Sequence, residues 1–136
     1  MPAYNFQKQF MPMILSGRKP HTIRRRRKHP TNVGDLLSLY TGMRTKSCVK
    51  IADVICVKVT PINFYPEHQI LLDGQYMTTD EIEKLAQADG FDSVNMFFKF
   101  FEEHYTIPTF GFEIIEWNPT SFLRGVCSLG FDMRSD

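Results

Sequence analysis

The sequence has few of the features that mark metalloproteins or disulfide-rich secreted proteins. Its 136 residues include three cysteines, Cys48, Cys56 and Cys127. They lie too far apart for a Cys-x-x-Cys zinc or redox motif, and their odd number does not fit a disulfide framework. We therefore expect buried thiols, no metal site and no cofactor.

Long apolar segments are missing as well. No run approaches the ~18 residues of a membrane-spanning helix, and residues 1–6 lack the basic-then-apolar order of a signal peptide. The sequence thus predicts a cytoplasmic protein with no membrane partner. Its 43% of hydrophobic residues and 12 phenylalanines are enough to build a sizeable core within one domain.

The charges that are present are unevenly distributed. The formal net charge is +1, from 16 lysines and arginines against 15 acids. Seven of these bases and none of the acids lie in residues 18–29, which we call the basic segment. Positive charge concentrated in one stretch is typical of proteins that bind phosphate groups, although a solvated arginine loop has the same composition.

The residues before and within the basic segment predict a helix, a bend and a strand. Helical spacing begins at Phe6 and Phe10, and Gly17 is placed to end the helix. Pro20 then favours a bend at Lys19.

The strand predicted after this bend is an edge strand from His21 to Arg26. Alternation along it puts Thr22, Arg24 and Arg26 on one face. His21 falls on the opposite face, where we expect it to contact phosphate or solvent.

Downstream, the apolar pattern alternates between strands and helices. The predicted elements are a strand Leu36–Tyr40, a long strand from Val49 with a bulge or a bend at Asp53 and an end at Pro61, a hairpin within Gln69–Met77, helices capped by Thr78 and Ser93, and a last strand that ends near Trp117. Phe97, Phe98, Phe101 and Tyr105 form an aromatic stripe typical of a core. Residues 1–117 thus form one domain, and residues 118–136 are an extension whose pattern does not decide between a packed and a flexible tail.

Short strands of mixed direction with a few helices predict an α+β domain built on a small curved sheet or barrel. The stretch Gly17-Arg18-Lys19-Pro20-His21-Thr22-Ile23-Arg24 resembles the Gly-x-Lys-x-x-x-x-Arg signature of the ASCH domain family. Three further pieces match in order, which are Gly34-Asp35-Leu36-Leu37, Tyr40-Thr41-Gly42-Met43-Arg44-Thr45 and Ala88-Asp89-Gly90-Phe91. The resemblance covers about residues 4–117 and implies a PUA-like small mixed β-barrel with peripheral helices.

The resemblance also implies an RNA- or nucleoside-associated protein. One small bacterial branch of the family removes the acetyl group of N4-acetylcytidine with a lysine, a threonine and a glutamate. Matched residue by residue, these fall on Lys19, Thr22 and Asp89. The chain departs from that branch in having Pro20 in place of a small hydroxyl residue, and an aspartate in place of the glutamate.

Electrostatics gives an independent reason to consider Asp89. An acid in the last turn of a helix faces the negative end of the helix dipole, and such violations of local rules are common at functional sites. A simple Asp-Gly turn between helices is the structural alternative. For Lys19 to act as a base near neutral pH, its pKa must fall by roughly three units, through burial or nearby cations that outweigh Asp89.

The other polar residues of the matched pieces are candidates for binding. We expect contacts to RNA or to a modified nucleoside from Arg18, His21, Arg24, Arg26, Tyr40 and Arg44, with Tyr40, Phe64 or Tyr65 available to stack on a base. Two alternatives to hydrolysis stay open, a non-catalytic RNA-binding module and a metal-independent ribonuclease.

Overall fold

A computed structural model describes residues 2–118, which form an α+β fold with seven strands and three helices. The strands are β1 (Ala3–Phe6), β2 (His21–Arg25), β3 (Leu36–Thr41), β4 (Val49–Tyr65), β5 (Gln69–Leu72), β6 (Gln75–Tyr76) and β7 (Phe112–Trp117). The helices are α1 (Met11–Leu15), preceded by a 3-10 turn Lys8–Phe10, α2 (Thr79–Ala88) and α3 (Val94–His104). The predicted α+β class is confirmed. The predicted extension lies outside the described residues, apart from Asn118.

The sheet is organised around the long strand β4. Its first part pairs with β3, its middle with β7 and its last part with β5. β1 adds to β3 in parallel, β6 extends β5, and β2 pairs with β7 as the predicted edge strand. Within residues 2–118 these pairings leave β1, β2 and β6 at edges, so the described sheet is not closed into a barrel.

Strand β4 is longer than predicted, and the irregularities in its pairing lie at other residues than Asp53. Its pairing with β3 leaves out Ile51 and its pairing with β7 leaves out Val57, so the bulges lie on either side of Asp53. Of the two alternatives predicted for Asp53, a bulge or a bend, the bulge was therefore wrong. Pro61 does not end the strand, which continues to Tyr65. Pro61 lies where β4 exchanges β7 for β5 as its partner, a position that tolerates the missing N–H better than a continuous ladder does.

The N-terminal segment corrects a second prediction. Phe6 belongs to strand β1, because parallel pairing with β3 overrides the helical spacing of the phenylalanines. The helical part is confined to the turn around Phe10 and the five residues of α1. Gly17 follows in the left-handed conformation, with a φ of 86°, and its N–H donates to Ile14 O. The predicted stop signal is therefore confirmed.

The core lies between α3 and the sheet. Phe97, Phe98 and Phe101 are buried, which confirms the predicted aromatic stripe. Phe64 stacks on Phe101 with 4.4 Å between ring centroids and is fully buried. It cannot stack on a base, so that prediction was wrong.

Of the two cysteines in the described part, Cys56 is buried as expected. Cys48 is exposed, contrary to expectation, because the loop before β4 carries it to the surface.

Candidate active site

The basic segment, the N-terminal strand and the helix ends enclose one pocket of about 180 Å³. Its walls are largely aromatic and come from Phe6, Phe10, Phe91, Phe100, Phe101 and Tyr105. Its polar lining comes from Asn5, Gln7, Lys19, Thr22, Arg24 and Asp89. The three residues matched to the hydrolase branch therefore line a single cavity, although they are up to seventy positions apart in sequence.

Lys19 and Asp89 are in direct contact inside this pocket. Lys19 Nζ lies 2.6 Å from Asp89 Oδ1 and 2.8 Å from the Asp89 backbone oxygen. Both side chains are at most 5% exposed. Nζ also lies 4.9 Å from the ring centroid of Phe10, so the ammonium group contacts an aromatic face as well as the carboxylate.

Asp89 is held in place by the way helix α2 ends. It is the C-cap residue, and Gly90 follows with a φ of 102°. Gly90 N–H donates to Gln87 O and Phe91 N–H donates to Ala86 O, which together form a Schellman motif. A Cβ on Gly90 would lie 2.8 Å from Phe10 Cδ1, so the glycine also permits the close packing of the pocket wall.

The C-terminal end of α2 gives a second, electrostatic reason for the contact between Lys19 and Asp89. Carbonyl groups at the end of α2 carry a partial negative charge, and the Lys19 ammonium donates a hydrogen bond to one of them, the Asp89 backbone oxygen. The ammonium thus compensates both the carboxylate and the helix dipole. This tether is a structural function of the pair, and it fixes the amine in the pocket.

His21 is placed differently from its prediction as a phosphate or surface contact. It is buried, and its Nε2 lies 3.0 Å from Asp89 Oδ1, the oxygen that Lys19 also contacts. The contact is close but poorly aligned, so Nε2 makes no well-formed hydrogen bond within the described part of the chain. The prediction failed because the face of the strand opposite Thr22 packs against the end of α2.

Burial and charge shift the titration of the pair. Burial lowers the pKa of Lys19 below the ordinary lysine value of 10.5, even though Asp89 acts in the opposite direction. Burial by itself would raise the pKa of Asp89, but Lys19 and then His21 reverse this effect, so its pKa lies below the ordinary value of 3.8. The carboxylate therefore stays ionised at neutral pH, while Lys19 releases its proton more readily than a free lysine.

Thr22 is oriented by Arg24 on the same face of β2, as the alternation predicted. Arg24 Nε donates to Thr22 Oγ1 at 2.9 Å, and Arg24 Nη2 donates to the backbone oxygen of Asn5. Because the Thr22 oxygen accepts from a guanidinium, its O–H is polarised as a donor. The nearby charge of Arg24 also contributes to the lowered pKa of Lys19.

Arg18 lies outside the pocket, on the surface at the end of α2. It donates to Gln87 O and to Phe91 O, and it forms an exposed ion pair of 3.4 Å with Asp92. Its guanidinium therefore caps the C-terminal end of α2.

The remaining predicted binding residues do not line the pocket either. Arg26 is exposed just after the end of β2, with its Nε 3.9 Å from Glu113 Oε2. Tyr40 is half-buried beneath Lys50, and Arg44 lies in the exposed loop between β3 and β4 with a φ of 67°. These residues are spread along the surface around the pocket.

Sequence reasoning missed most of the pocket wall. Gln7 and Phe10 come from a segment predicted as a helix, Asn5 precedes that segment, and Phe101 and Tyr105 were assigned only to the core. Tyr105 could have been suggested by the sequence, because it is the last residue of the aromatic stripe and the member that carries a hydroxyl group. No comparable signal marks Asn5, because its place depends on the unpredicted strand β1.

Within residues 2–118 no group of three His, Cys, Asp or Glu side chains is arranged to hold a metal ion, and no helix has the length and apolar character to cross a membrane. Comparisons with family models, with curated proteins and with solved structures give no match.

Proposed function

We propose that the protein is an ASCH-type, PUA-like nucleoside amidohydrolase that removes the acyl group from N4-acylated cytidine. The observation that carries the proposal is the buried contact between Lys19 and Asp89, in a pocket that also contains the Thr22 hydroxyl. A buried lysine whose pKa is lowered, held beside a fixed carboxylate, suits the part of a base in amide hydrolysis.

The size of the pocket supports a single ring as its occupant. An apolar cavity of roughly 150 Å³ holds one benzene molecule, and this pocket measures about 180 Å³. A pyrimidine base with its acyl group would occupy it, while the ribose and any phosphate would remain at the mouth. The aromatic walls provide faces for stacking against such a base.

In the proposed mechanism Lys19 acts as the base. Its neutral amine takes a proton from water while the water oxygen forms a bond to the acyl carbon, and the carbonyl electron pair moves onto oxygen. The Thr22 O–H donates to this oxyanion, and Asp89 orients the amine. The C–N bond then breaks, the leaving N4 receives the proton from Lys19, and cytidine and a carboxylic acid are released.

Incubation with N4-acetylcytidine, followed by chromatography for cytidine, tests the proposal. Lys19→Ala should abolish turnover, and Thr22→Val should lower kcat by about 10²- to 10³-fold, the usual loss of one oxyanion donor. Thr22→Ser keeps the hydroxyl and is the matched control, expected to retain most of the activity. Absence of turnover by the wild-type protein at high concentration would contradict the proposal.

A second candidate function is binding of single-stranded RNA. It is favoured by the exposure of Arg25 and Arg26 at the end of β2, next to Phe110, which is 73% exposed. Arg26 N–H donates to Gly111 O at 2.7 Å, which places this phenylalanine beside the exposed arginines. Exposed arginines beside a free aromatic ring are suited to phosphates and a stacked base.

Affinity for a short RNA strand as a function of salt tests this second function. Phe110→Ala should weaken binding, whereas Tyr76→Ala, at an exposed aromatic far along the sheet on β6, is the matched control. A flat salt dependence would contradict an arginine-driven contact. Cleavage of the RNA in the presence of EDTA would instead favour the metal-independent ribonuclease.

A further inference from the structure

His21 is a buried titratable residue that the proposed mechanism does not use. It is the first residue of β2, and its side chain is only 4% exposed. The start of this strand is fixed by β7, because Trp117 N–H donates to Pro20 O at 2.9 Å. The backbone therefore holds the imidazole against the end of α2, on the face of β2 opposite Thr22.

Two side chains approach the same oxygen of Asp89. Lys19 Nζ lies 2.6 Å from Oδ1, and His21 Nε2 lies 3.0 Å from it. Lys19 makes a hydrogen bond to this oxygen, whereas the buried Nε2 makes none within residues 2–118. A buried polar atom without a hydrogen bond is rare and costly, which points to a state of the site in which Nε2 is paired.

The proposed mechanism creates such a state. To act as a base, Lys19 must first be neutral, and a neutral amine no longer compensates the charge of the Asp89 carboxylate. A buried carboxylate without a cation or a donor is strongly unfavourable. A neutral imidazole carries one N–H, and Nε2 already lies within reach of Oδ1, so His21 can supply the missing donor.

We infer that His21 is a positioning residue that donates from Nε2 to Asp89 Oδ1 when Lys19 becomes the neutral base. This inference rests on the proposed function and explains how the site keeps its carboxylate ionised and in place. Burial raises the pKa of Asp89, but Lys19 and then His21 hold it below the ordinary value of 3.8. His21 does not line the pocket, so it acts on the reaction through Asp89.

The other charged groups around His21 do not replace this contact. On β7, Glu116 lies directly opposite His21 and is half-buried, but no ion pair joins the two side chains in the described part of the chain. Lys58 of β4 pairs with Glu116 from the other side and is exposed. Arg24, on the other face of β2, adds to the effect of burial in lowering the pKa of Lys19. All of these groups are unchanged in the variants that test the inference.

Two substitutions separate the Nε2 donor from the bulk of the side chain. His21→Leu fills the buried space without a polar atom. His21→Gln places an amide N–H near the position of Nε2 and is the matched control. Urea denaturation establishes that each variant is folded, and His21→Met, with its more adaptable side chain, replaces the leucine variant if that one does not fold.

The pH dependence of kcat/KM for N4-acetylcytidine is the first readout. Without the Nε2 donor, Asp89 depends on Lys19 alone, which favours the charged amine. His21→Leu should therefore raise the midpoint by about one pH unit, the roughly tenfold effect of one hydrogen bond to a charged group. His21→Gln should keep the wild-type midpoint. An unchanged midpoint in His21→Leu, or an equal shift in His21→Gln, would overturn the inference.

The Asp89→Asn background tests whether His21 acts through the carboxylate. Without the negative charge, the Nε2 donor has nothing to compensate. His21→Leu should then shift the midpoint by less than about 0.3 pH units, because the two substitutions remove the same interaction. A shift of equal size in both backgrounds would show that His21 acts only through packing, and would overturn the inference.

An NMR titration of the Lys19 side chain separates this inference from the proposed function. In protein labelled with ¹³C at the lysine Cε, the Lys19 signal reports protonation of its amine without any substrate, and Lys19→Arg identifies that signal. The titration midpoint should also rise by about one pH unit in His21→Leu and stay unchanged in His21→Gln. If it does so but N4-acetylcytidine is not hydrolysed, the hydrolase proposal fails and the assignment of His21 stands. If hydrolysis occurs and neither midpoint moves, only the assignment of His21 fails.

Discussion

The two halves of the basic segment, residues 18–24 and residues 25–29, both carry cations but lie in different environments. In the first half, Lys19 and His21 are buried against Asp89, and Arg24 is tied to Thr22 and Asn5. In the second half, residues 25–29 are exposed. Composition alone makes these halves look like one patch. The difference shows that the fold removes Lys19 and His21 from water and leaves the later cations exposed to it.

The three arginines of the exposed half differ in the contacts that their side chains make. Arg27 donates to the Ala3 backbone oxygen and lies over the Tyr4 ring, and Arg25 lies over Phe112. Arg26 has only a long contact with Glu113. The arginines therefore differ in how freely they can reach a phosphate, with Arg26 the least constrained of the three.

The largest expected effect on stability comes from removing one member of the buried Lys19–Asp89 pair. Asp89→Ala leaves the Lys19 ammonium without its carboxylate in the interior, so the free energy of unfolding should fall by about 3–5 kcal/mol. Arg26→Ala, in the exposed half, should change it by less than about 0.5 kcal/mol. Urea denaturation measures both. Equal effects of the two substitutions would show that burial does not distinguish the halves.

The turn that positions Asp89 gives the next largest effect. Gly90→Ala introduces a Cβ that overlaps Phe10 and Met13 at a positive φ. Gly74→Ala has a similar φ of 83° but meets no atom within 4 Å, so it isolates the backbone strain. We expect Gly90→Ala to destabilise the protein by about 1–3 kcal/mol more than Gly74→Ala. Similar denaturation midpoints for the two variants would contradict tight packing between the turn and the pocket wall.

The pH dependence of hydrolysis tests whether Lys19, in the buried half, acts as the proposed base. Because the pKa of Lys19 is lowered, kcat/KM should rise with pH as the amine loses its proton, with a midpoint below 10.5. Asp89→Asn removes the main influence that raises the pKa of Lys19, so the midpoint should move to lower pH. A midpoint at or above 10.5 in the wild-type protein would contradict a buried base.

Stability should depend on pH through the same pair. The folded-state pKa of Asp89 lies below 3.8, so its contribution is present above 3.8 and is lost as the pH falls through the folded value. The folded-state pKa of Lys19 is also lowered, so stability should rise with pH between that value and 10.5. Thermal denaturation of wild type and Asp89→Asn across the acid range checks the first statement, since the variant lacks that loss.

The smallest expected effect lies in the exposed half. Arg26→Ala should reduce the slope of log affinity against log salt for single-stranded RNA by about 0.7, the value of one phosphate contact. It should leave the turnover of free N4-acetylcytidine unchanged, because Arg26 does not line the pocket. A loss of nucleoside turnover in this variant would show that the halves are not separate in function.

Part of this architecture could be predicted because it depends on local rules. The Thr78 capping box, the Ser93 cap and the left-handed Gly17 are confirmed, and so is the β5–β6 hairpin. Each depends on side chains within a few residues of one another. Strand β1 was not predicted, because its only reason to be extended is its pairing with β3.

The candidate site likewise combines residues that the sequence indicated with contacts that depend on tertiary packing. The sequence indicated Lys19, Thr22 and Asp89 through a matched signature and a charge at the wrong end of a helix. Their common cavity, and the approach of His21 to Asp89, depend on how α2 packs against the start of β2.

The sequence by itself determined the concentration of positive charge, the caps and turns and the α+β class, because these follow from composition and short-range periodicity. Only the tertiary structure decided which of the cations are buried, since the loss of water around a charge depends on contacts between distant segments. It also decided that Asn5 joins the pocket lining, where its backbone oxygen accepts from Arg24 and its amide oxygen accepts from Met43 N–H, a contact between residues 38 positions apart.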